Sequence, residues 1–169
     1  HAEIIGLQSN FTIIDTDDQI RLLKQLILSE DIDEKRFPAK SLAGLIDRWK
    51  NKGFSPADVD AGESELFANG KGQHMYALYQ ARLLALNACD FGDLLLHGLK
   101  LLQNNRDILE KYQQQFKYIL VDEYQDIDER QYRLVSALAR RHSTHSERDT
   151  DLCILAVGDD DQNIYQWRG

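Results

Sequence analysis

The run Tyr118-Ile119-Leu120-Val121 is followed at once by Asp122 and Glu123. A compact apolar run of this kind reads as a strand buried on both faces, with two carboxylates at its tip. Paired carboxylates at a strand end suit nucleotide hydrolysis. One can hold Mg²⁺, which takes hard oxygen ligands and keeps several waters. The other can polarise a water lined up with a γ-phosphorus. The plainer alternative is that both acids cap the next turn and stay solvated. A second apolar run, 152–157, delivers Gly158-Asp159-Asp160-Asp161-Gln162. Carboxylates crowded on one rim repel one another unless a cation is supplied. Arg168 is almost the sole base nearby, so the remaining positive charge is expected from Mg²⁺ and from protein outside this chain.

The elements that must position these groups form a strand, helix and strand. Asp126 with Glu129 suits the cap of a helix carrying Tyr132, Val135 and Leu138. The unit is therefore βαβ with parallel strands. Both acidic clusters then reach the rim where open α/β folds bind ligands. Tyr165 and Trp167 alternate, as residues on an extended segment do, and can turn two rings to one side; core packing is the other reading.

The N-terminal two thirds reads as helices. Thr16 with Gln19 forms a capping-box pattern before Ile20, Leu23, Leu26 and Ile27. Pro38 suits a helix start, Leu42, Ile46 and Trp49 share a face, and Gly53 fits the C-terminal cap. Ser55, Pro56 and Asp58 start a short helix. Residues 61–72 are expected to be an exposed connection. Met75, Tyr79 and Leu83 return to helical spacing, and Asp90 with Asp93 caps a helix carrying Leu94, Leu95, Leu99 and Leu102. Residues 35–52 hold Lys35, Arg36, Lys40, Arg48, Lys50 and Lys52 against Asp47, a basic run that reads as a solvated face or as a contact to DNA backbone.

Composition narrows the classes. The 169 residues carry 20 Lys and Arg against 28 Asp and Glu, a net charge of -8. That excludes a small, wholly basic nucleic-acid-coating protein but not a local patch. With 43% hydrophobic residues, a packed core is expected in place of disorder. No apolar run is long enough to span a membrane, and HAEIIGLQSN lacks a signal-peptide pattern. Cys89 and Cys153 are expected as two buried thiols. His142 and His145 match no structural zinc spacing. The start at His1 and the stop after Gly169 read as an excised piece of a larger protein.

The segments VDEYQD (121–126) and VGDDDQNIYQWRG (157–169) resemble motifs II and III of the superfamily 1 DNA helicases of the UvrD/Rep/PcrA type. FTIIDTDDQIRLLKQLI (11–27), FPAKSLAGLIDRWKNKG (37–53) and CDFGDLLL (89–96) are similar to the same family. The resemblance implies an α/β fold, part of a P-loop NTPase (RecA-like) parallel-sheet domain with a mainly helical inserted domain. Residues 1–14 would end one motor-domain segment. Residues 15–88 would be the helical accessory (1B-like) domain, and 89–169 a partial ATP-binding (1A-like) domain.

By the same resemblance, Asp122 is the Mg²⁺-binding aspartate and Glu123 activates the attacking water. Gln125 and Asp126 link the nucleotide site to neighbouring motifs, and Gln162 senses the γ-phosphate. Tyr165 and Trp167 line the single-stranded DNA path, while Arg168 pairs with motif II carboxylates at the nucleotide site. Asn163 departs from the family's usual Ser. None of the glycines belongs to a G-x-x-x-x-G-K-[ST] loop. The family's phosphate-binding lysine would lie upstream of His1, so this segment alone is expected to be inactive. The intact protein is expected to be a cytoplasmic, nucleoid-associated, ATP- and Mg²⁺-dependent 3′-to-5′ DNA helicase. It would act on single-stranded and forked DNA in repair or replication restart, together with the remaining helicase domains and possible repair proteins. The alternative is the motor subunit of a recombination helicase-nuclease.

Overall fold

A computed structural model describes residues 1–139 and 152–159. The chain divides into two compact units, residues 1–94 and 95–169.

In the first unit, α1 (Thr16–Ser29), α2 (Ala39–Asn51) and α4 (Gly72–Ala85) enclose a core that includes Leu23, Ile27, Leu42, Ile46, Trp49 and Met75. The α1 cap is Asp15, whose carboxylate accepts the Asp18 N–H at 2.9 Å. The expected Thr16–Gln19 box is thus displaced by one residue, and Gln19 is buried instead. Pro38 is the N-cap of α2. Its C-terminus closes as a Schellman motif: Gly53, at φ 77, donates to Lys50 O at 2.8 Å, and Phe54 donates to Trp49 O at 2.9 Å. Ser55 and Asp58 form a capping box around the 3₁₀ turn Pro56–Asp58.

Two expectations fail in this unit. Residues 61–72 are not simply an exposed connection, because they include α3 (Ala61–Ser64) and bury Ser64, Phe67 and Ala68. The Phe67 ring meets Phe37 at 5.5 Å between centroids. Nor is the region wholly helical: β1 (Thr12–Ile14) pairs in parallel with β2 (Ala88–Asp90). Backbone pairing extends these three-residue strands beyond what side-chain pattern can signal.

The division between units falls within α5 (Phe91–Asn104). Along α5, Leu96, Leu99 and Leu102 are buried while Leu94 is exposed, so the apolar stripe is turned from the expected one. The second unit continues through α6 (Arg106–Gln115), β3 (Tyr118–Val121), α7 (Glu129–Ala139) and β4 (Cys153–Ala156). β3 and β4 are parallel, with Tyr118 opposite Cys153 and Val121 opposite Ala156. The fold is mixed α/β with parallel strands and a helical portion, the class the sequence implies.

Burial of the two later strands differs from expectation. Tyr118 and Leu120 are 73% and 74% exposed, and Ile154, Leu155 and Val157 are exposed too. Cys153 is consequently exposed, whereas Cys89 is buried. Among the described residues, β3 and β4 pair only with each other, so most of their side-chain surface meets no packing layer. The α7 cap also differs: Asp128, not Asp126, accepts the Gln131 N–H at 2.9 Å, and Gln131 Oε1 accepts the Asp128 N–H at 2.9 Å. Among the described residues, no helix is long and apolar enough to cross a membrane.

Candidate nucleotide site at the β3–β4 rim

Parallel pairing brings the ends of β3 and β4 together. The ladder runs past the strands: Val157 N–H donates to Val121 O at 2.8 Å, and Tyr124 N–H donates to Val157 O at 2.9 Å. Asp122 and Glu123 therefore leave β3 at the same end at which Gly158 and Asp159 leave β4. Asp122 Oδ1 accepts the Glu123 N–H at 2.9 Å. Glu123 itself is left-handed, with φ 50 and ψ 48. A non-glycine residue held there carries backbone strain of roughly 1 kcal/mol, a pattern concentrated at functional sites. The turn it starts, Tyr124–Asp126, carries the next two polar side chains.

Gln125 spans the rim. Its Nε2 donates to Glu123 Oε2, and its Oε1 accepts the Asp159 N–H at 2.9 Å. Gly158 leaves room for this side chain, since a Cβ there would sit 2.5 Å from Gln125 Oε1 and 3.2 Å from the Tyr124 nitrogen. The family resemblance implies a linking role for Gln125, whereas the sequence places Gly158 at the strand end without a role; a glycine directly after an apolar strand is the available signal.

The rim groups suit a hard divalent cation. Asp122 and Glu123 are exposed. Among the described residues, Asp126 Oδ1 is buried without a hydrogen-bond partner, an acceptor that a water or hydrated cation can complete. No group of three or more His, Cys, Asp or Glu suited to a metal occurs among the described residues. The residues that would hold a Mg²⁺ ion here are Asp122 and Glu123, and such an ion would supply the positive charge this acidic rim lacks. Gln162, Tyr165, Trp167 and Arg168 lie outside the described residues, as do His142 and His145.

The basic run 35–52 is not a uniform solvated face. Arg48 Nη2, Trp49 Nε1 and Lys52 Nζ converge on the Glu63 carboxylate at 2.7, 2.8 and 3.1 Å. The Trp49 and Lys52 hydrogen bonds, with Arg48 adding its charge, outweigh partial burial and hold Glu63 down at about 2. Lys50 is wholly buried and ion-paired with Asp90 and Asp93. Lys50 is therefore no candidate for contact with DNA, and sequence reasoning missed this acid–base cluster.

The whole chain, residues 1–169, matches the UvrD/REP helicase N-terminal domain. It is 41% identical over 165 residues to a probable DNA helicase II homolog of Rickettsia felis, covering 98% of this chain and 24% of that protein. It is 41% identical over 166 residues to the DNA helicase II of Rickettsia typhi, with the same coverage of 98% and 24%. It is 40% identical over 168 residues to the ATP-dependent DNA helicase PcrA of Staphylococcus epidermidis, covering 99% of this chain and 22% of the relative. The chain thus spans about a quarter of the length of these curated relatives. With its full length matched and its two acidic strand ends on one rim, the chain belongs to the UvrD/Rep helicase N-terminal domain family.

Proposed function

We propose that the protein carrying this chain is an ATP-dependent DNA helicase that couples ATP hydrolysis to 3′-to-5′ movement along single-stranded DNA and to strand separation. The observation that carries the reading is the parallel β3–β4 pair, which sends Asp122, Glu123 and Asp159 to one rim. Asp122 is the residue that would hold Mg²⁺, and Glu123 would accept a proton from the attacking water. When bound, Mg²⁺ would offset phosphate charge as the γ-phosphoryl group transfers.

Gln125 holds Glu123 beside the end of β4, so a change at the phosphates has a direct route into the segment after Asp159. That segment contains Gln162, Tyr165, Trp167 and Arg168. Gln162 would read the γ-phosphate, Arg168 would pair with rim carboxylates, and Trp167 with Tyr165 would stack DNA bases. Stacking of this kind ignores base identity, which suits movement along any sequence. Single-stranded and forked DNA are the proposed partners, DNA repair or replication restart the proposed role, and the nucleoid-associated cytoplasm the proposed location.

The test is E123Q in the full-length protein. It is expected to lose DNA-stimulated ATP hydrolysis by about 10²- to 10⁴-fold, the range contributed by a positioned acid–base group. Hydrolysis at the native rate would overturn the assignment.

A further inference from the structure

The chain buries an ionic network that nucleotide chemistry does not use. Asp90 ends β2, and Asp93 lies in the first turn of α5. Their carboxylates cap each other's backbone: Asp93 N–H donates to Asp90 Oδ1 at 2.8 Å, and Asp90 N–H donates to Asp93 Oδ2 at 3.2 Å. The other two oxygens face one ammonium. Lys50 Nζ, from α2, lies 2.6 Å from both Asp90 Oδ2 and Asp93 Oδ1. From α4, Tyr79 O–H donates to Asp90 Oδ2 at 2.8 Å and Gln80 Nε2 to Asp93 Oδ1 at 3.0 Å. All four carboxylate oxygens are engaged. The Lys50 and Asp93 side chains are 0% exposed and that of Asp90 is 5% exposed.

Such a cluster is a weak source of net stability, because desolvating three charges offsets much of their attraction. It is strongly selective, however. Any other conformation of the β2–α5 turn that keeps these groups buried leaves a charge without its partner. We propose that Lys50 is a lock on the first turn of α5, fixing the one conformation in which Asp90 and Asp93 cap each other. Withdrawing its charge releases that turn while the apolar core of the helical unit persists. The inference is independent of the nucleotide reading.

Charge bookkeeping gives the lock a distinctive signature. Burial alone would push the Asp90 carboxyl up, but the Lys50 charge and hydrogen bond outweigh it and hold Asp90 below the usual range. Its contribution is therefore present above the unfolded value, about 3.9, and lost only below it. The Cys89 thiol and the Tyr79 hydroxyl stay protonated near neutrality. Cys89 is pushed up to about 11 by burial and by Asp93 and Asp90. Tyr79 is pushed higher still by burial and by Asp90, Asp93 and Asp47. Without Lys50, burial dominates at Asp90 and its carboxyl rises, so stability is lost as pH climbs.

The test is hydrogen exchange of the amides at 90–95 in full-length K50M, corrected for intrinsic rate and compared with the native protein at about pH 5 and pH 8. At the higher pH, K50M is expected to lose about two orders of magnitude of protection there. The loss should shrink at the lower pH, and K50M/D90N/D93N should show no such pH dependence. Native protection in K50M, or a loss equal at both pH values, would overturn the proposal. Y79F, which removes one neutral donor to Asp90, covers the case in which K50M does not fold. It should lose protection at the same amides to a smaller degree, and unchanged exchange would count against the lock.

Discussion

Asp159 donates its backbone N–H to Gln125 Oε1 at 2.9 Å, tying the end of β4 to the turn that follows β3. The same side chain reaches Glu123 through its other end. One amide thus spans two acidic segments that lie far apart in the chain, and the small size of Gly158 makes the crossing possible.

Removing either half of this arrangement should destabilise the rim. Q125A is expected to cost about 1 kcal/mol, the usual contribution of a hydrogen bond. G158A should displace the Gln125 side chain and cost about 1–3 kcal/mol. Because both act on one contact, the double variant should be less destabilised than the sum of the singles by at least about 0.5 kcal/mol. Urea unfolding of the four proteins measures this, and simple additivity would separate the two residues.

Glu63 gathers Arg48, Trp49 and Lys52, and its carboxyl sits at about 2 against an ordinary 4.5. A depressed carboxylate contributes stability above its unfolded value and loses it as pH falls through the folded one. E63Q is therefore expected to be less stable than the native chain by about 1.5–3 kcal/mol at neutral pH. The gap should close as pH is lowered from 4.5 towards 2. Chemical unfolding at a series of pH values tests the direction, and a gap that widens in acid would contradict it.

Much of this was legible in the residues, and the failures have physical causes. Asp122 and Glu123 announced a strand end because an apolar run stops abruptly at two acids, and β4 repeats that signature. Helix faces were legible where Leu42, Ile46 and Trp49 recur at helical spacing. Lys50 was misread because charge suggests solvent, yet it stands four residues after buried Ile46 and directly beside buried Trp49. Position on the helix, not residue type, was the better guide. β1 and β2 were invisible because three residues cannot show a period. Cap positions shifted by one or two residues because Asp15 and Asp128 are strong acceptors placed next to equally plausible neighbours.

Trp167 supplies a test of the proposed DNA path. W167A in the full-length protein should weaken single-stranded DNA binding by about 1–3 kcal/mol whatever the base sequence. Fluorescence anisotropy with several oligonucleotides at fixed salt measures it, and a loss confined to one sequence would argue for base readout.

The proposed division of labour between Asp122 and Glu123 is tested most directly by titrating Mg²⁺ and a fluorescent ATP analogue against full-length D122N and E123Q, with hydrolysis followed in parallel. D122N is expected to lose Mg²⁺-dependent tightening of nucleotide binding, whereas E123Q should keep it while hydrolysis falls by about 10²-fold or more. Normal Mg²⁺ dependence in D122N together with normal turnover in E123Q would contradict a nucleotide site at the β3–β4 rim.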